Sequence, residues 1–188
     1  STLDAAIKNL TGASKYRKII HTMIMNHKTS PEQLKEVMRT WATGVAIVTG
    51  YHHGVVHGMT VNSFNSIALE PPTVLVGVQH HSRTQQLIKD GGFFGVTVLS
   101  YKQVALARRF AGQIDQDRPR FEDITTFSLV SDVPLISDGL AFLDCQVVHE
   151  FDVGLSTVFI GEVIASQIGN VQDEPLLYLN RQWRRLAE

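Results

Sequence analysis

The sequence predicts a mainly β fold: a closed or partly closed antiparallel barrel with peripheral helices and a helical extension at the N-terminus. Three observations predict it. Six or so short runs rich in β-branched and aromatic residues are bounded by Gly, Pro and Asn. The helical stretches are few and do not alternate regularly with those runs, which argues against a doubly wound sheet. The 188 residues, 44% hydrophobic and 19% charged, supply one core and little of a second.

Composition narrows the class further. Cys145 is the single cysteine, so no disulfide framework holds the fold. No apolar run approaches the ~20 residues of a membrane span, and the first residues lack the apolar stretch of a secretory signal. The expectation is one soluble, cytoplasmic protein. Residues 1–28 hold Lys8, Lys15, Arg17, Lys18 and Lys28 against Asp4, whereas the remainder carries twelve basic and seventeen acidic residues. A basic arm without a basic stripe on the body reads as a solvated helix, and nucleic acid is not an expected partner.

In chain order, Ile19, Ile20, Met23 and Ile24 recur at helical spacing, so residues 1–30 are expected as a helical extension and 31–188 as the main domain. Ser30 caps a fresh helix with Pro31 at its first position and Gln33 completing a capping box. Leu34, Val37, Met38 and Trp41 are expected to face inward. The run 45–49 is a strand and 50–54 a hairpin loop. Residues 55–69 form one long extended segment, broken by Pro71-Pro72 before a strand at 73–78. Ser82 and Gln85 frame a helix that stops at Gly91-Gly92, and 93–99 is a further strand. Ser100 and Gln103 open another helix, followed by a charged surface loop over 112–123. Strands at 140–148 and 158–166 and a closing segment from 176 complete the chain.

Two stretches carry chemistry. In 58–66, Thr60, Asn62 and Ser66 supply donors and acceptors along one face, with Ser63 and Asn65 on the other. Such a row suits the edge of a flat hydrogen-bonding heterocycle, and equally a solvent-facing edge strand. In 79–85, Ser82, Arg83 and Thr84 stand at a helix N-terminus, where free amides, hydroxyls and a guanidinium suit a phosphate. Helix capping alone also accounts for Ser82 and Gln85.

Several segments together resemble the flavin reductase-like family, notably the reductase components of two-component flavin-dependent monooxygenases. They are Trp41-Ala42-Thr43-Gly44-Val45-Ala46-Ile47-Val48-Thr49, the stretch 58–66, Glu70-Pro71-Pro72, Ser82-Arg83-Thr84, the strand 93–100, Arg109-Phe110-Ala111, Cys145 and Phe159-Ile160-Gly161-Glu162-Val163. They occur in family order across roughly residues 33–186. The resemblance implies an FMN-binding split β-barrel that works as a homodimer. It also implies reduction of FMN or FAD by NADH or NADPH, with reduced flavin passed to a partner monooxygenase. Its implied cofactor-binding residues are Thr43, Met59, Thr60, Val61, Asn62, Ser63, Ser66, Gln79, Ser82, Arg83 and Thr84. No side chain is expected to act as a general acid or base, because hydride transfer belongs to the two cofactors.

One segment departs from the family. Where many members carry Gly-Asp-His ahead of the Phe-Ile-Gly-Glu-Val strand, with the His on the nicotinamide side, this chain has Gly154-Leu155-Ser156. Ser156 and the upstream His149 are the nicotinamide-side candidates, and a flavin-binding electron-transfer or carrier protein without efficient NAD(P)H turnover is the alternative function. Of the eight histidines, His52, His53, His57, His80 and His81 cluster; these lack the ligand set of a metal site and read as exposed loop residues. Cys145 reads as core.

Overall fold

A computed structural model describes residues 29–114 and 119–186. The helix expected within residues 1–30 therefore lies outside the described residues, apart from its last two positions. The chain divides into two compact units, Ser1–Trp41 and Ala42–Glu188. This division falls after Trp41, where the sequence suggested Ser30. Helix α1 (Pro31–Met38) goes with the first unit and has both halves of its capping box. The Gln33 amide donates to Ser30 Oγ at 3.1 Å, and the Ser30 amide donates to Gln33 Oε1 at 2.9 Å. Its apolar side chains do not face inward as expected: Leu34, Val37, Met38 and the following Trp41 are each more than half exposed.

In the second unit, strand β1 (Thr43–Gly44) leads into β2 (Ala46–His52), β3 (Val55–Val61), β4 (Asn65–Leu69) and β5 (Pro72–Gln79). After helix α2 (Arg83–Gly91) come β6 (Phe93–Val98), helix α3 (Val104–Phe110), β7 (Thr126–Phe127) and β8 (Leu135–Ile136). Two thirteen-residue strands, β9 (Ala141–Val153) and β10 (Ser156–Ile168), are followed by β11 (Leu177–Leu179) and β12 (Gln182–Arg184). One antiparallel sheet runs β3-β2-β6-β9-β10-β5-β4, a small sheet runs β1-β11-β12, and β7 pairs with β8.

The edges of the seven-stranded sheet, β3 and β4, are separated in sequence only by residues 62–64. Laid flat at ~4.8 Å per strand, those edges would lie about 29 Å apart. The link spans at most about 14 Å. The sheet must therefore curl until its edges approach, and the link marks the seam. There Ser63 Oγ donates to the Gly77 carbonyl of β5 at 2.7 Å, beyond the point where β4 stops pairing with that strand. This corrects the expected single extended segment over 55–69. The chain turns at the seam, so the even–odd alternation read across residues 60–66 breaks at Asn62.

Strand β2 explains its own unbroken apolar run. Ala46 and Val48 belong to one buried cluster with Val76, Phe94 and Phe159, while Val45 and Ile47 join a second with Leu99, Ala107 and Phe110. A strand covered on both faces has no polar face to show. The expected loop over 50–54 contracts to His53-Gly54, because β2 stays in register as far as His52 opposite Val55. Both turn residues have positive φ, +47° and +79°, which matches the hand of a tight hairpin. In β10, Gly161 permits close approach: a Cβ there would lie 2.5 Å from the Phe94 ring.

The helices largely follow their signals. Ser82 Oγ accepts from the Gln85 amide at 3.2 Å and caps α2, whose last turn ends on left-handed Gly92. The second half of that capping box is missing, because the Gln85 side chain donates instead to Thr157 Oγ1 at 3.2 Å. Ahead of α3, Gln103 Oε1 accepts from the Ser100 amide at 3.1 Å across one 3-10 turn.

Candidate functional site

Strand β3 is an edge, so alternate backbone groups along it face away from β2. Arg120 donates to the Gly58 carbonyl at 2.9 Å, which fixes that residue as outward-facing. By two-residue alternation the amide and carbonyl of Thr60 face outward too. Along this edge stand two helices. The first turn of α2 meets His57, whose Nδ1 lies 2.7 Å from Thr84 Oγ1. Toward the other end of β3, Thr60 Oγ1 donates to the Ala107 carbonyl of α3 at 2.7 Å.

Beyond Thr60 lies a cavity of about 140 Å³ lined by Val45, Thr60, Val61, Asn62, Tyr178 and Trp183, with Ala111 and Gln113. Gln113 and Trp183 also line an adjoining cleft of about 540 Å³ that contains Arg108 and Arg181. Thr43 lies opposite Tyr178 in the β1–β11 pair, so its side chain shares that face. Its buried hydroxyl has no hydrogen-bond partner among the described residues.

The structure treats the expected residues unequally. Thr60, Val61 and Asn62 come together at the small cavity. Met59 packs against the core. Thr60 and Ser63 spend their hydroxyl protons inside the protein, so each offers only lone pairs outward. Donation to ring carbonyls then falls to the Asn62 amide and the Thr60 backbone. Ser66 sits across the seam on β4, opposite Val74. Ser82 caps α2 and Arg83 is exposed at its first position, but Thr84 is wholly buried against His57. Gln79 lies opposite Ser156 at the ends of β5 and β10. His149 lies opposite Ile160 further along and is not brought to Ser156.

Sequence reasoning missed two groups. His57 is not an exposed loop residue: it is half-buried, and its pKa falls to about 4 through burial first and then the charges of Arg120 and Arg83. Its signal was its place two residues before the Met59-Thr60 pair. The second is a clamp on the Gly154-Leu155-Ser156 segment. The His80 amide donates to the Leu155 carbonyl at 3.0 Å, and His80 Nε2 lies 3.0 Å from Asp152 Oδ1. Thr157 Oγ1 donates to the same carboxylate oxygen at 2.8 Å. These bonds, led by that from Thr157, hold Asp152 below the usual carboxylate range.

Among the described residues, no group of three or more His, Cys, Asp and Glu is placed to hold a metal ion. Within the same residues no helix is long and apolar enough to cross a membrane. Cys145 is buried, and burial followed by the neighbouring Asp144 pushes its thiol up to about 12.

Comparison with known proteins bears directly on this arrangement. The model of the flavin reductase like domain matches residues 38–187. An NADH-dependent flavin reductase, StyB of Pseudomonas fluorescens, is 34% identical over 146 residues, covering 77% of this chain and 83% of its own. An NADH-dependent FAD reductase of Streptomyces globisporus is 34% identical, covering 82% and 85%. Among solved structures, flavin reductase PheA2 in its native state superposes with a TM-score of 0.78 at 34% identity, covering 85% of this chain and 100% of its own. The Streptomyces globisporus NADH:FAD oxidoreductase SgcE6, in complex with NAD and FAD fragments, gives 0.76 at 32% identity, covering 86% and 97%.

Proposed function

The chain belongs to the flavin reductase-like family, and from that premise we propose that it is an NAD(P)H:flavin oxidoreductase supplying reduced flavin to a flavin-dependent monooxygenase. The observation that carries the reading is the outward edge of β3. It joins a hydrogen-bonding row at Thr60–Asn62 to the N-terminus of α2, within a family match spanning residues 38–187. A bound FMN or FAD supplies the hydride-accepting chemistry.

The chain's residues hold and orient that cofactor. Thr60, Val61, Asn62 and Ser63 take the ring edge, with Met59 behind them, the Thr43 hydroxyl beside the cavity, and Ser66 and Gln79 flanking. Ser82 and Arg83 meet the phosphate through the α2 amides, a capping hydroxyl and a guanidinium. Thr84 supports them from inside. Ser156 and the more distant His149 stand on the nicotinamide side. The protein's contribution to rate is to bring the reacting atoms to within about 3.5 Å and to exclude competing acceptors.

NADH is the expected reductant, since the relatives named above use it. Residues 31–188 are proposed as the flavin reductase-like domain, of which 38–187 match the family model, and residues 1–30 as an appended extension expected from the sequence alone. The cavity of about 140 Å³ is by itself smaller than the ~300 Å³ at which ligand pockets begin and takes a ring only together with the adjoining cleft of about 540 Å³; a homodimer is proposed on the family resemblance. A nicotinamide reductant and a monooxygenase partner support the expectation of a cytoplasmic protein, with neither nucleic acid nor membrane expected as a partner.

Anaerobic mixing with FMN or FAD and either nucleotide tests the reading. Loss of the oxidised-flavin absorbance band within seconds is expected with NADH. Tight flavin retention without bleaching by either nucleotide would overturn it in favour of a flavin carrier, the function that the Gly154-Leu155-Ser156 segment favours.

A further inference from the structure

The cleft of about 540 Å³ beside the ring cavity shares Gln113 and Trp183 with it. With a flavin ring in the small cavity and against that shared wall, the rest of the cleft lies open to a second group. Two guanidiniums stand there, Arg108 from the last turn of α3 and Arg181 from the turn between β11 and β12. No acidic residue lines the cleft, although acids outnumber bases seventeen to twelve over residues 29–188. Neither guanidinium has an ion pair or a hydrogen bond among the described residues. The cleft is therefore a cationic concavity within an acidic body, and its volume falls in the range of ligand pockets.

Arg181 stands there at a backbone cost. Asn180 and Arg181 have φ of +50° and +59°, and Leu179 pairs with Gln182 across them. A two-residue turn of this hand takes Asn readily at its first position and favours Gly at its second. Here the second position holds arginine, whose Cβ opposes a left-handed φ. A side chain kept at such a position is what the site requires, because the turn alone would be better served by glycine. Arg108 needs no such reason, since a cation near a helix C-terminus is favoured in any case.

The flavin phosphate is assigned above to the first turn of α2, which meets β3 at His57, whereas α3 meets β3 at Thr60. The cleft borders α3, on the far side of the ring from that phosphate. An anion taken there comes from a second molecule. We infer that Arg108 and Arg181 hold the pyrophosphate of the nicotinamide dinucleotide, so that the reductant approaches the ring from the α3 side. This inference rests on the flavin reductase reading and deepens it by naming residues that bind the reductant. A diphosphate bridge carries a charge on each phosphate, and each guanidinium can donate two parallel hydrogen bonds to it. The nicotinamide then lies toward the wall at Gln113 and Trp183 that the cleft shares with the ring cavity. The adenylate of FAD would have to fold back across its own ring to reach the same place.

The probe is ADP-ribose, the dinucleotide without its nicotinamide. Its binding to the full-length protein, with and without FMN, is measured by calorimetry for the parent, Arg108→Gln and Arg181→Gly. Each substitution removes charge-assisted hydrogen bonds and is expected to weaken ADP-ribose about tenfold. The KM for NADH should rise by a similar factor with a smaller fall in kcat, while retention of FMN, read by fluorescence, stays at the parent level. Arg181→Gly carries a second signature. Glycine suits the left-handed φ, so the melting temperature should hold or rise while binding falls, whereas a merely structural Arg181 would lower both.

Parent-like ADP-ribose affinity and parent-like KM for NADH in both variants would overturn the inference and leave the reductase reading intact. Loss of FAD affinity with FMN and ADP-ribose affinity retained would give the cleft to the adenylate of FAD, again against the inference. Equal weakening of FMN and ADP-ribose would make the two arginines part of the flavin site and overturn it too. Bleaching of flavin by NADH in the parent reports on the reductase reading separately, and its absence would overturn that reading and this inference together.

Discussion

Ser63 and Gly77 lie fourteen residues apart in sequence and are joined by one hydrogen bond of 2.7 Å, from the Ser63 hydroxyl to the Gly77 carbonyl. Ser63 belongs to the link between the two sheet edges and Gly77 to β5, so the bond pins the link across the seam. Ser63→Ala removes the donor and leaves a half-buried carbonyl without it. The expected cost is about 1 kcal/mol, read as a lower urea midpoint with an unchanged slope.

Gly161→Ala is expected to be more severe. The added methyl would meet the Phe94 ring at 2.5 Å and Cys145 Cβ at 3.0 Å, and Phe94 is wholly buried. Overpacking of this kind costs about 1–3 kcal/mol. A thermal melt should fall by several degrees, and Phe94→Leu in the same chain should restore part of the loss by making room.

Cys145 should resist thiol reagents. With its pKa up at about 12 and no exposed sulfur, almost no thiolate exists at pH 8. A chromogenic disulfide reagent is expected to report no free thiol in the folded protein and one per chain in guanidinium chloride. Rapid reaction without denaturant would contradict the placement of β9.

Acid should weaken the empty protein partly through His57. Its folded-state pKa, about 4, lies below the ordinary 6.5, so the folded chain binds fewer protons than the unfolded chain between those values. The contribution is full above pH 6.5 and is lost as pH falls toward 4. Across that window, His57→Asn should lose less stability than the parent. Parallel stability–pH curves would show that His57 titrates normally.

At the ring site, Asn62→Ala and Thr43→Val are expected to weaken flavin retention with little change in melting temperature. Asn62 is exposed at the cavity rim, and the Thr43 hydroxyl has no partner among the described residues to lose. Flavin fluorescence titration measures the change. Unaltered affinity in both variants would move the ring away from β3.

Much of this architecture was legible because each signal is local. Ser30 and Ser82 announced helix starts, Gly92 a helix end, and the run from Val45 to Thr49 a buried strand. The resemblance supplied the family and the order of the site segments. What stayed illegible depends on distant parts of the chain. Period-two alternation could not show that residues 55–69 cross from one edge of a sheet to the other, because closure is set by five intervening strands. The spacing of Leu34, Val37 and Met38 gave an apolar helical face but not whether anything covers it. Nothing near His57 in sequence signals Thr84, 27 residues away, or Arg120. The Gln85 side chain left its expected capping partner for Thr157, 72 residues on.

The seam also makes the covalent chain the clasp of the barrel. New termini cut between Val61 and Asn65 would leave every strand pairing of the sheet intact on paper, yet remove the only short tether between β3 and β4. The curl would then depend on side-chain packing and on the hydrogen bonds from β3 to α2 and α3, and a sheet that flattened would present two unpaired edges to other molecules. A circular permutant opened at this link should therefore form edge-to-edge aggregates, whereas one opened at His53-Gly54 should retain its closure and stay dispersed.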